Sequence, residues 1–525
     1  MGLGHFGGGV AAARWLARQD ARVTVTDLAD ERVLADSLAE LADLPIAAYH
    51  LGGHREDDFR SADLVVVNPA VRPGNPCVEI ARNAGAQITT EIEMFIRACP
   101  ARIVGVTGSN GKSTTAAMTA AILRAAREGK GEGKGEGKGV GSHLCESPEG
   151  PFRQMSPDPF SQPRCGVWLG GNLGGSLLER LDDMGLDDWA VLEMSSFQLW
   201  YMDPRTPMPH VAVVTNFTPN HLDWHGRVED YAAAKQRILT GQTPEDFAVL
   251  NTLDPEVRSW GAACGTAALV AQPPSAVQQS ARPPSAVQES AQPGAAVPLA
   301  VPLAVPLAVP LAVPLAVPRV ARQVPLWPDA KIPQLRVPGE HNRMNAACAA
   351  AAATAAGCDE EMIRRGLEGF AALPQRLELV AVAGGRRFYN DSSATTPEST
   401  AAALRSLQGR VWLLAGGRDK GLDFRGLFDA MAHRACGAAF FGSVRDLLLS
   451  GVTGSSGGFC AAAFQGMADA LAWCWEHSRP GDAILLSPGC SSQDQFQNFR
   501  QRGEHFASLV RRLAEVDKTS PRPPE

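Results

Sequence analysis

The stretch 102-RIVGVTGSNGKSTTAAM-118 constrains the fold more than any other part of the chain. A β-branched run leads into a glycine-rich turn, and an alanine-rich run follows it. Glycines allow backbone amides to point inward towards an anion, and a following helix presents its N-terminus to the same anion. The sequence therefore predicts a strand, a phosphate-binding loop and a helix. The spacing differs from the common loop G-x-x-x-x-G-K-[ST], because Val106 stands five residues before Gly111.

The side chains of this loop suit a nucleotide with its cation. Lys112 would neutralise phosphate, and Ser113 or Thr114 can reach Mg2+. An ordinary glycine turn is the weaker explanation, because it accounts for neither the lysine nor the hydroxyls. The residues that we expect to contact the phosphates are Gly108, Ser109, Asn110, Gly111, Lys112, Ser113 and Thr114.

Outside two unusual segments, short β-branched runs alternate with alanine-rich helical stretches. This alternation predicts an α/β fold with mostly parallel sheets. The 525 residues are enough for about three domains at roughly 150 residues each. We predict a Rossmann-like N-terminal domain at residues 1–98, a central phosphate-loop domain with a mostly parallel sheet at 99–372, and a Rossmann-like C-terminal domain at 373–525.

The two unusual segments have low sequence complexity. Residues 128–164 contain GKGEGKGEGKG, and residues 272–318 join a duplicated PPSAVQ unit to a VPLA repeat. We expect both to be disordered surface insertions, with a tethering role as the alternative. Proline at every fourth position from Pro298 to Pro318 excludes a membrane-spanning helix, since each proline removes an amide donor.

Composition limits the functional classes. Hydrophobic residues make up 45% and charged residues 20%, which is typical of a soluble globular protein. The formal charge of -7 gives no basic footprint for nucleic acid, so we expect no nucleic-acid partner and no membrane insertion. The eleven cysteines contain no C-x-x-C pair and predict reduced thiols in a cytoplasmic protein. We also expect a monomer.

The N-terminus carries a second glycine pattern. Gly2, Gly4 and Gly7 form G-x-G-x-x-G, and Asp27 follows Gly7 by twenty residues at the end of VTVTD. This spacing places a diphosphate on a helix N-terminus and an acid near a ribose or base, although a tight turn would also explain the glycines. The pattern should follow a strand. We therefore expect that Met1 is an internal methionine of a longer reading frame or that the first strand has been lost.

Several separated motifs together carry a family resemblance. They are 105-GVTGSNGKST-114, 170-GGNLG-174, 193-EMSSFQL-199, 216-NFTPNHLDWHG-226, 231-YAAAK-235 and 339-GEHNRMNAA-347. The chain resembles the Mur ligases and, more distantly, the folylpolyglutamate synthases. The run from Glu193 to Leu199 is most similar to the Mur ligases that add D-glutamate. The resemblance covers most of the chain outside the two insertions.

The resemblance implies an ATP and magnesium site. Glu193 would ligate Mg2+ together with Ser113, and a carboxylate at a strand end beside the loop suits such a hard cation. His221 matches a family residue on a second Mg2+, although alone it would pass for a surface or capping histidine. Lys235 matches a lysine that the family carbamylates, so that it becomes a carboxylate, although alone it would pass for a solvated helix lysine.

Other site residues also come from the resemblance. Asn345 would hold adenine, Arg376 would contact the ATP phosphates, and Asp391 would contact the ribose. Asn172 would meet the UDP-linked substrate or the metal shell. Ser195 would bind the UDP-linked substrate, as would Gly4, Gly7 and Asp27 in the first domain.

The acceptor amino acid would bind in the C-terminal domain. The run 485-LLSPGCSSQDQFQNFRQRG-503 resembles the family text there. The matching acceptor residues are Thr395, Lys420, Ser492 and Phe499.

The chain departs from the family at two positions. Gln375 stands where the family commonly has histidine, and Ser393 stands where it commonly has lysine. Loss of that lysine removes a positive charge near the acceptor and therefore bears on which amino acid is bound there.

The implied reaction is ATP-dependent addition of D-glutamate to UDP-N-acetylmuramoyl-L-alanine through an acyl phosphate, with two Mg2+ ions and a carbamylated lysine. Three alternatives remain open. A related ligase would add another amino acid such as L-glutamate, or would resemble the folylpolyglutamate synthases. A dinucleotide-dependent dehydrogenase would leave GSNGKST unexplained. A catalytically impaired nucleotide-binding homologue would bind ATP without turnover.

Overall fold

The computed structural model describes residues 1–4, 7–128, 166–263, 321–419, 421–452 and 459–519. Helices and mostly parallel strands alternate through these ranges, which confirms the predicted α/β class. Both predicted insertions lie outside the described residues, apart from Glu128 at the end of a helix. Within the described ranges, no helix is both long enough and apolar enough to cross a membrane.

The N-terminal region contains two short parallel strand pairs, β1 with β2 and β3 with β4. The backbone of Met1 and Gly2 lies between the pairs, since Gly2 N–H donates to Thr26 O (2.8 Å) and Asn68 N–H donates to Met1 O (3.0 Å). The elements are α1 (Gly8–Arg18), β1 (Thr24–Thr26), α2 (Ala35–Ala39), β2 (Ala48–His50), α3 (Glu56–Arg60), β3 (Leu64–Val66), α4 (Pro76–Asn83), β4 (Gln87–Thr89) and α5 (Glu91–Ala98).

The central region is built on a six-stranded, entirely parallel sheet in the order β10-β9-β8-β5-β7-β6. The phosphate loop follows its strand β5, next to the middle of the sheet. The elements are β5 (Arg102–Thr107), α6 (Lys112–Glu128), β6 (Val167–Gly171), β7 (Trp189–Glu193), α7 (Ser196–Trp200), β8 (Val211–Val214), α8 (Leu222–His225), α9 (Val228–Gln236), β9 (Phe247–Leu250), α10 (Pro255–Ala263), β10 (Arg322–Val324), α11 (Glu340–Ala355) and α12 (Glu360–Glu368).

The C-terminal region has a second six-stranded sheet in the order β11-β12-β16-β13-β14-β15. Only the edge pair β11 and β12 is antiparallel among these strands. The elements are β11 (Glu378–Ala383), β12 (Arg386–Asn390), α13 (Pro397–Ser406), β13 (Val411–Gly416), α14 (Arg425–Arg434), β14 (Ala435–Phe441), α15 (Arg445–Val452), β15 (Cys460–Ala463), α16 (Met467–His477), β16 (Ala483–Gly489) and α17 (Phe499–Thr519).

Apolar side chains cover both faces of the central sheet. Val104 and Val106 belong to a cluster with α6, α11 and α12, whereas Ile103 belongs to a cluster with α5 and the segments after β6. Residues 346–353 of α11 are seven alanines and one cysteine, all buried. Such small side chains allow α11 to lie close to α6 and the sheet. This packing holds the N-terminus of α6, and with it the phosphate loop, in a fixed position.

Contacts between the N-terminal and central regions are both polar and apolar. The Tyr201 hydroxyl donates to Val71 O (3.2 Å) and Arg72 O (3.0 Å). Arg14 on α1 donates to the Glu179 carboxylate at 2.8 Å. Tyr201 also packs in the apolar cluster of the first region. These contacts pack α1 and the segment after β3 against the central region.

Replacement of Gly366 on α12 tests the close helix contact. A Cβ at this position would overlap the Ile122 backbone of α6. Alanine favours a helix over glycine by about 1 kcal/mol, but overpacking a core costs about 1–3 kcal/mol. We therefore expect Gly366→Ala to lower the urea midpoint of unfolding. The control Gly426→Ala lies on α14 with open space around its Cβ and should leave the midpoint unchanged or raise it. A higher midpoint for Gly366→Ala would contradict the close approach of α12 to α6.

Candidate active site

The phosphate loop runs from Thr107 at the end of β5 to Lys112 at the start of α6. Gly108 (φ 143°) and Gly111 (φ 81°) adopt backbone conformations that side chains rarely allow. Neighbouring groups also exclude a Cβ, because Gly108 lies against Thr215 and Gly111 lies against Asn345. The glycines predicted from the sequence are therefore required by both conformation and space.

The loop is held by the segment after β8. Asn110 N–H donates to Asn216 Oδ1 at 2.8 Å, and Thr218 N–H donates to Ser109 Oγ at 2.9 Å. Ser109 Oγ also lies 3.1 Å from the Tyr231 hydroxyl on α9. Thr114 lies in the first turn of α6. The loop conformation thus depends on residues more than one hundred positions away along the chain.

A chain of hydrogen-bonded polar groups joins the loop to the end of β7, to the turn after β6 and to the C-terminal region. Ser113 Oγ donates to Glu193 Oε2 at 2.6 Å, and Asn172 Nδ2 donates to Glu193 Oε1 at 2.8 Å. Arg376 Nη2 from the C-terminal region donates to Ser113 Oγ at 2.8 Å. Glu193 is only 3% exposed. Four of the predicted site residues are therefore joined by one continuous series of hydrogen bonds.

Two lysines lie beside the same loop. Lys112 Nζ donates to Gly108 O and Ser109 O, both at 3.0 Å, and Lys235 Nζ donates to Gly108 O at 2.6 Å. Lys235 Nζ also lies 4.6 Å from the centre of the Tyr231 ring. Burial, reinforced by the charge of Lys112, holds the pKa of Lys235 well below its usual value. Burial also lowers the pKa of Lys112, and the charge of Glu193 opposes this.

His221 lies at the N-cap of α8 with a left-handed backbone, at φ 56°. Its exposed side chain packs edge-on against Phe197, with ring centres 4.8 Å apart. The neighbouring His225 is buried, and its Nε2 lies 3.0 Å from Ser196 Oγ. Burial, reinforced by the charges of His221 and Lys235, lowers the pKa of His225 to about 4. His225 packs against the rings of Phe197 and Trp224 within the turn that carries His221.

The donor set beside the loop fits a hard cation. Glu193 provides carboxylate oxygens and Ser113 a hydroxyl, which are ligands that Mg2+ accepts while it keeps several waters. In the described ranges, no three His, Cys, Asp or Glu side chains converge as a metal cluster. A cation here would therefore take few direct protein ligands and would rely on ATP phosphates and water for the others.

Two glycines of the N-terminal pattern lie beside Asp27 and at the start of α1. Gly4 N–H donates to Asp27 Oδ2 at 3.2 Å, and Asp27 Oδ1 accepts the Ala29 amide at 2.8 Å. Gly7 has φ 79° at the N-cap of α1, where no side chain caps the helix. Ser195 lies in the central region and forms a capping box with Gln198 at the start of α7. Its hydroxyl thus has a sufficient structural role.

Of the predicted acceptor residues, Thr395 follows the carboxyl end of β12, Ser492 follows that of β16, and Phe499 begins α17. Ser392 Oγ donates to Phe499 O at 2.8 Å, and Gly489 N–H donates to Ala394 O at 3.0 Å. These bonds join the loop that contains Thr395 to the segments that contain buried Ser492 and partly buried Phe499. Lys420 lies outside the described residues.

Sequence reasoning missed a buried arginine beneath these loops. Arg502 is 0% exposed and donates to Ser392 Oγ (3.0 Å), Ser392 O (2.9 Å) and Cys490 O (3.1 Å). The motif that ends in Gly503 contains this arginine, but an arginine on a polar helix usually faces solvent. Its role in joining the loops became visible only in three dimensions. Tyr231 lies in a motif that the sequence also identified, but its contact with Ser109 of the phosphate loop was not predicted.

Asp391 lies between the C-terminal sheet and Arg376. Its carboxylate accepts the Ser487 hydroxyl at 2.8 Å and the Leu377 amide at 3.2 Å, and the residue is 8% exposed. Burial raises the pKa of Asp391 to about 7, and the two hydrogen bonds oppose this shift. The Asp391 carboxylate already accepts hydrogen bonds from Ser487 and Leu377. Its contact with the ribose stays a prediction.

Three family models match the chain in order. The Mur ligase MurD-like N-terminal domain matches residues 1–90, the Mur ligase middle domain 176–271, and the Mur ligase glutamate ligase domain 375–490. The UDP-N-acetylmuramoylalanine–D-glutamate ligase of Roseiflexus sp. strain RS-1 is 36% identical over 514 residues, which cover 97% of both chains. The ligase of the same name from Acidobacterium capsulatum is 33% identical over 97% of this chain and 95% of its own.

A solved structure supports the same fold. UDP-N-acetylmuramate-alanine ligase MurC from Thermotoga maritima superposes with a TM-score of 0.52 at 16% identity, over 99% of this chain and 98% of its own. Fold and site together define an α/β protein of three domains with a phosphate loop at its centre. The matched models and the full-length relatives identify it further. The chain belongs to the Mur ligase family.

The raised pKa of Asp391 gives a testable pH dependence. The carboxyl has a higher pKa in the folded protein than in the unfolded chain, where it is about 4. Its contribution to stability is therefore complete below about pH 4 and is lost as the pH rises through about 7. Asp391→Asn imitates the protonated form. Its free energy of unfolding, relative to that of the unmodified protein, should increase across this window in urea titrations. A difference that does not change with pH would show that Asp391 stays ionised.

Proposed function

We propose that the chain is an ATP-dependent ligase that joins D-glutamate to UDP-N-acetylmuramoyl-L-alanine in the synthesis of peptidoglycan precursors. The observation that carries this proposal is the hydrogen-bonded cluster of Ser113, Glu193 and Arg376 beside the phosphate loop. Relatives with this activity match the chain over nearly its whole length. The cluster provides the charge distribution that such a reaction requires.

The chemistry explains why positive charge gathers at the loop. A carboxylate does not condense with an amine in water, because its leaving group would be hydroxide. Transfer of the γ-phosphoryl group of ATP to the carboxylate of the L-alanyl substrate makes an acyl phosphate and releases ADP. The amine of the acceptor attacks the acyl carbon, a C–N bond forms, and phosphate leaves with the electron pair of the C–O bond. The amine nitrogen loses its proton to solvent.

The residues of the central region would stabilise the transferred charge. Lys112 lies on the loop, and Arg376 reaches the same hydroxyl that bonds Glu193, so both cations are directed to the place where the phosphoryl group would lie. Two Mg2+ ions, held through Ser113, Glu193, His221 and carbamylated Lys235, would neutralise phosphate charge when bound. Asn345 beside Gly111 would contact the nucleotide, as would Asp391 near the ribose.

The three regions would divide the substrates between them. Gly4, Gly7 and Asp27 would bind the UDP end at the turn after the first backbone segment, with Asn172 and Ser195 nearer the reacting carboxylate. The acceptor would bind at Thr395, Lys420, Ser492 and Phe499. Closure of the regions around the substrates would keep water from the acyl phosphate. We place the reaction in the cytoplasm, where ATP is available, and assign it to the monomer.

The first test is phosphate release by purified protein with ATP, Mg2+ and UDP-N-acetylmuramoyl-L-alanine. We expect release that depends on D-glutamate and not on L-glutamate or other amino acids. Dependence on another amino acid would retain the mechanism and assign Ser393 a part in a changed specificity. If no amino acid supports phosphate release, the ligase activity is contradicted, and a nucleotide-binding protein without turnover is favoured.

Lys112→Ala is the internal control for this assay. Loss of the loop cation should abolish phosphate release and leave the circular dichroism spectrum unchanged, because Lys112 bonds only loop carbonyls in the described structure. The matched variant Lys331→Ala removes an exposed lysine of the same region, which pairs with Glu360. It should keep full activity. Turnover retained by Lys112→Ala would contradict the assignment.

Carbamylation of Lys235 can be observed directly. The amine is buried beside the loop, and burial favours its uncharged form, which can attack carbon dioxide and lose a proton to give a carbamate. With isotopically labelled bicarbonate, the protein should show a carbamate carbon signal by NMR. This signal should disappear in Lys235→Ala and persist in Lys331→Ala. An active, bicarbonate-supplied protein with no such signal would exclude the modification.

A further inference from the structure

Backbone strain is concentrated around Arg376. The described residues include four non-glycine residues with positive φ, namely Asp20, His221, Gln375 and Leu377. Gln375 (φ 57°) and Leu377 (φ 46°) flank Arg376 directly. Such conformations are unfavourable for residues with a Cβ and persist only when the surrounding structure holds them. We call residues 375–378 the arginine turn.

Two carboxylates hold the arginine turn, one on each side of Arg376. Glu378 Oε2 accepts the Gln375 amide at 2.8 Å, and Asp391 Oδ1 accepts the Leu377 amide at 3.2 Å. The Gln375 carbonyl accepts the Ser393 amide at 3.1 Å, and the Gln375 side chain lies against Gly503. Both strained residues therefore have their backbone amides bonded by an acidic side chain.

The strained conformation has a geometric consequence. Arg376 belongs to the C-terminal region, yet its guanidinium donates to Ser113 Oγ of the phosphate loop at 2.8 Å. An extended or helical backbone at residues 375 and 377 would direct the side chain elsewhere, because successive residues would then follow a different path. The strained backbone thus directs the Arg376 guanidinium from the C-terminal region to Ser113 in the central region.

We infer that Glu378 is a positioning residue, whose carboxylate maintains the arginine turn and so delivers Arg376 to the phosphoryl group of ATP. This inference rests on the proposed function, since it takes Arg376 as a phosphate ligand. Glu378 acts through the backbone amide of Gln375. Asp391, just after the carboxyl end of β12, holds the other side of the turn, so the position of Arg376 is set by two acids.

The test compares Glu378→Ala with Glu378→Gln, which keeps an oxygen acceptor. We expect Glu378→Ala to lower kcat/KM for ATP about tenfold, the size expected for loss of one hydrogen bond to a charged group. The KM for the UDP-linked substrate should change by less than about twofold, since that site lies on other regions. Glu378→Gln should retain most activity. The control Glu476→Ala removes an exposed acid of the same domain and should behave as the unmodified protein.

Two further variants separate positioning from a general loss of structure. Because Glu378 acts through Arg376, Arg376→Ala/Glu378→Ala should be no worse than Arg376→Ala alone. Glycine adopts positive φ without strain, so Gln375→Gly should restore part of the activity of Glu378→Ala. Additive effects in the first double variant, or no restoration in the second, would overturn the inference.

Calorimetric binding of ATP to the same full-length variants distinguishes this inference from the proposed function. If the unmodified protein binds ATP but releases no phosphate with any acceptor, the proposed function fails, and the non-additivity of Glu378 and Arg376 is still measured in the dissociation constant. If the unmodified protein is an active ligase and Glu378→Ala equals it in both binding and kcat/KM, only the positioning role fails.

Discussion

The hydrogen bond between Ser113 and Glu193 is the interaction on which the rest of the site depends. It joins the first turn of α6 to the end of β7, and Arg376 completes the chain from another domain. A buried carboxylate is costly unless it is bonded by donors, and here Ser113 and Asn172 each occupy one of its oxygens. The same carboxylate moderates the repulsion among the cations around the loop. Three segments that are distant in sequence are thereby brought to one charged centre.

The buried lysines show how the fold prepares the site for an anion. Lys112 Nζ and Lys235 Nζ both donate a hydrogen bond to the carbonyl oxygen of Gly108. Burial lowers the pKa of both lysines, and a neighbouring cation adds to this effect in each case, Arg376 at Lys112 and Lys112 at Lys235. A bound triphosphate would supply the opposite charge. Loop glycines, aromatic packing under Lys235 and a carboxylate beside both lysines maintain this arrangement before any ligand binds.

A large part of the fold was predictable because its signals are local. The α/β class and the strand before the phosphate loop follow from β-branched runs and glycine spacing, and β5 has the predicted bounds Arg102–Thr107. Thr396 caps α13 and Pro397 begins it, as their residue types indicate. The run VTVTD does not by itself show where its strand begins, and β1 covers only Thr24–Thr26. Strand ends depend on partners that a local pattern does not contain.

By itself, the sequence determined the phosphate loop, the family and the residue types available for ATP and metal. It did so because those features are short motifs whose chemistry follows from spacing. Only the tertiary structure decided which side chains hold these motifs. Arg502 appears as one more polar helix residue until the segments after β12 and β16 meet on it, and Glu378 appears as an ordinary strand residue until the left-handed turn beside it is seen. Burial and backbone strain arise from contacts between segments far apart in the chain, and for that reason no local pattern could reveal them.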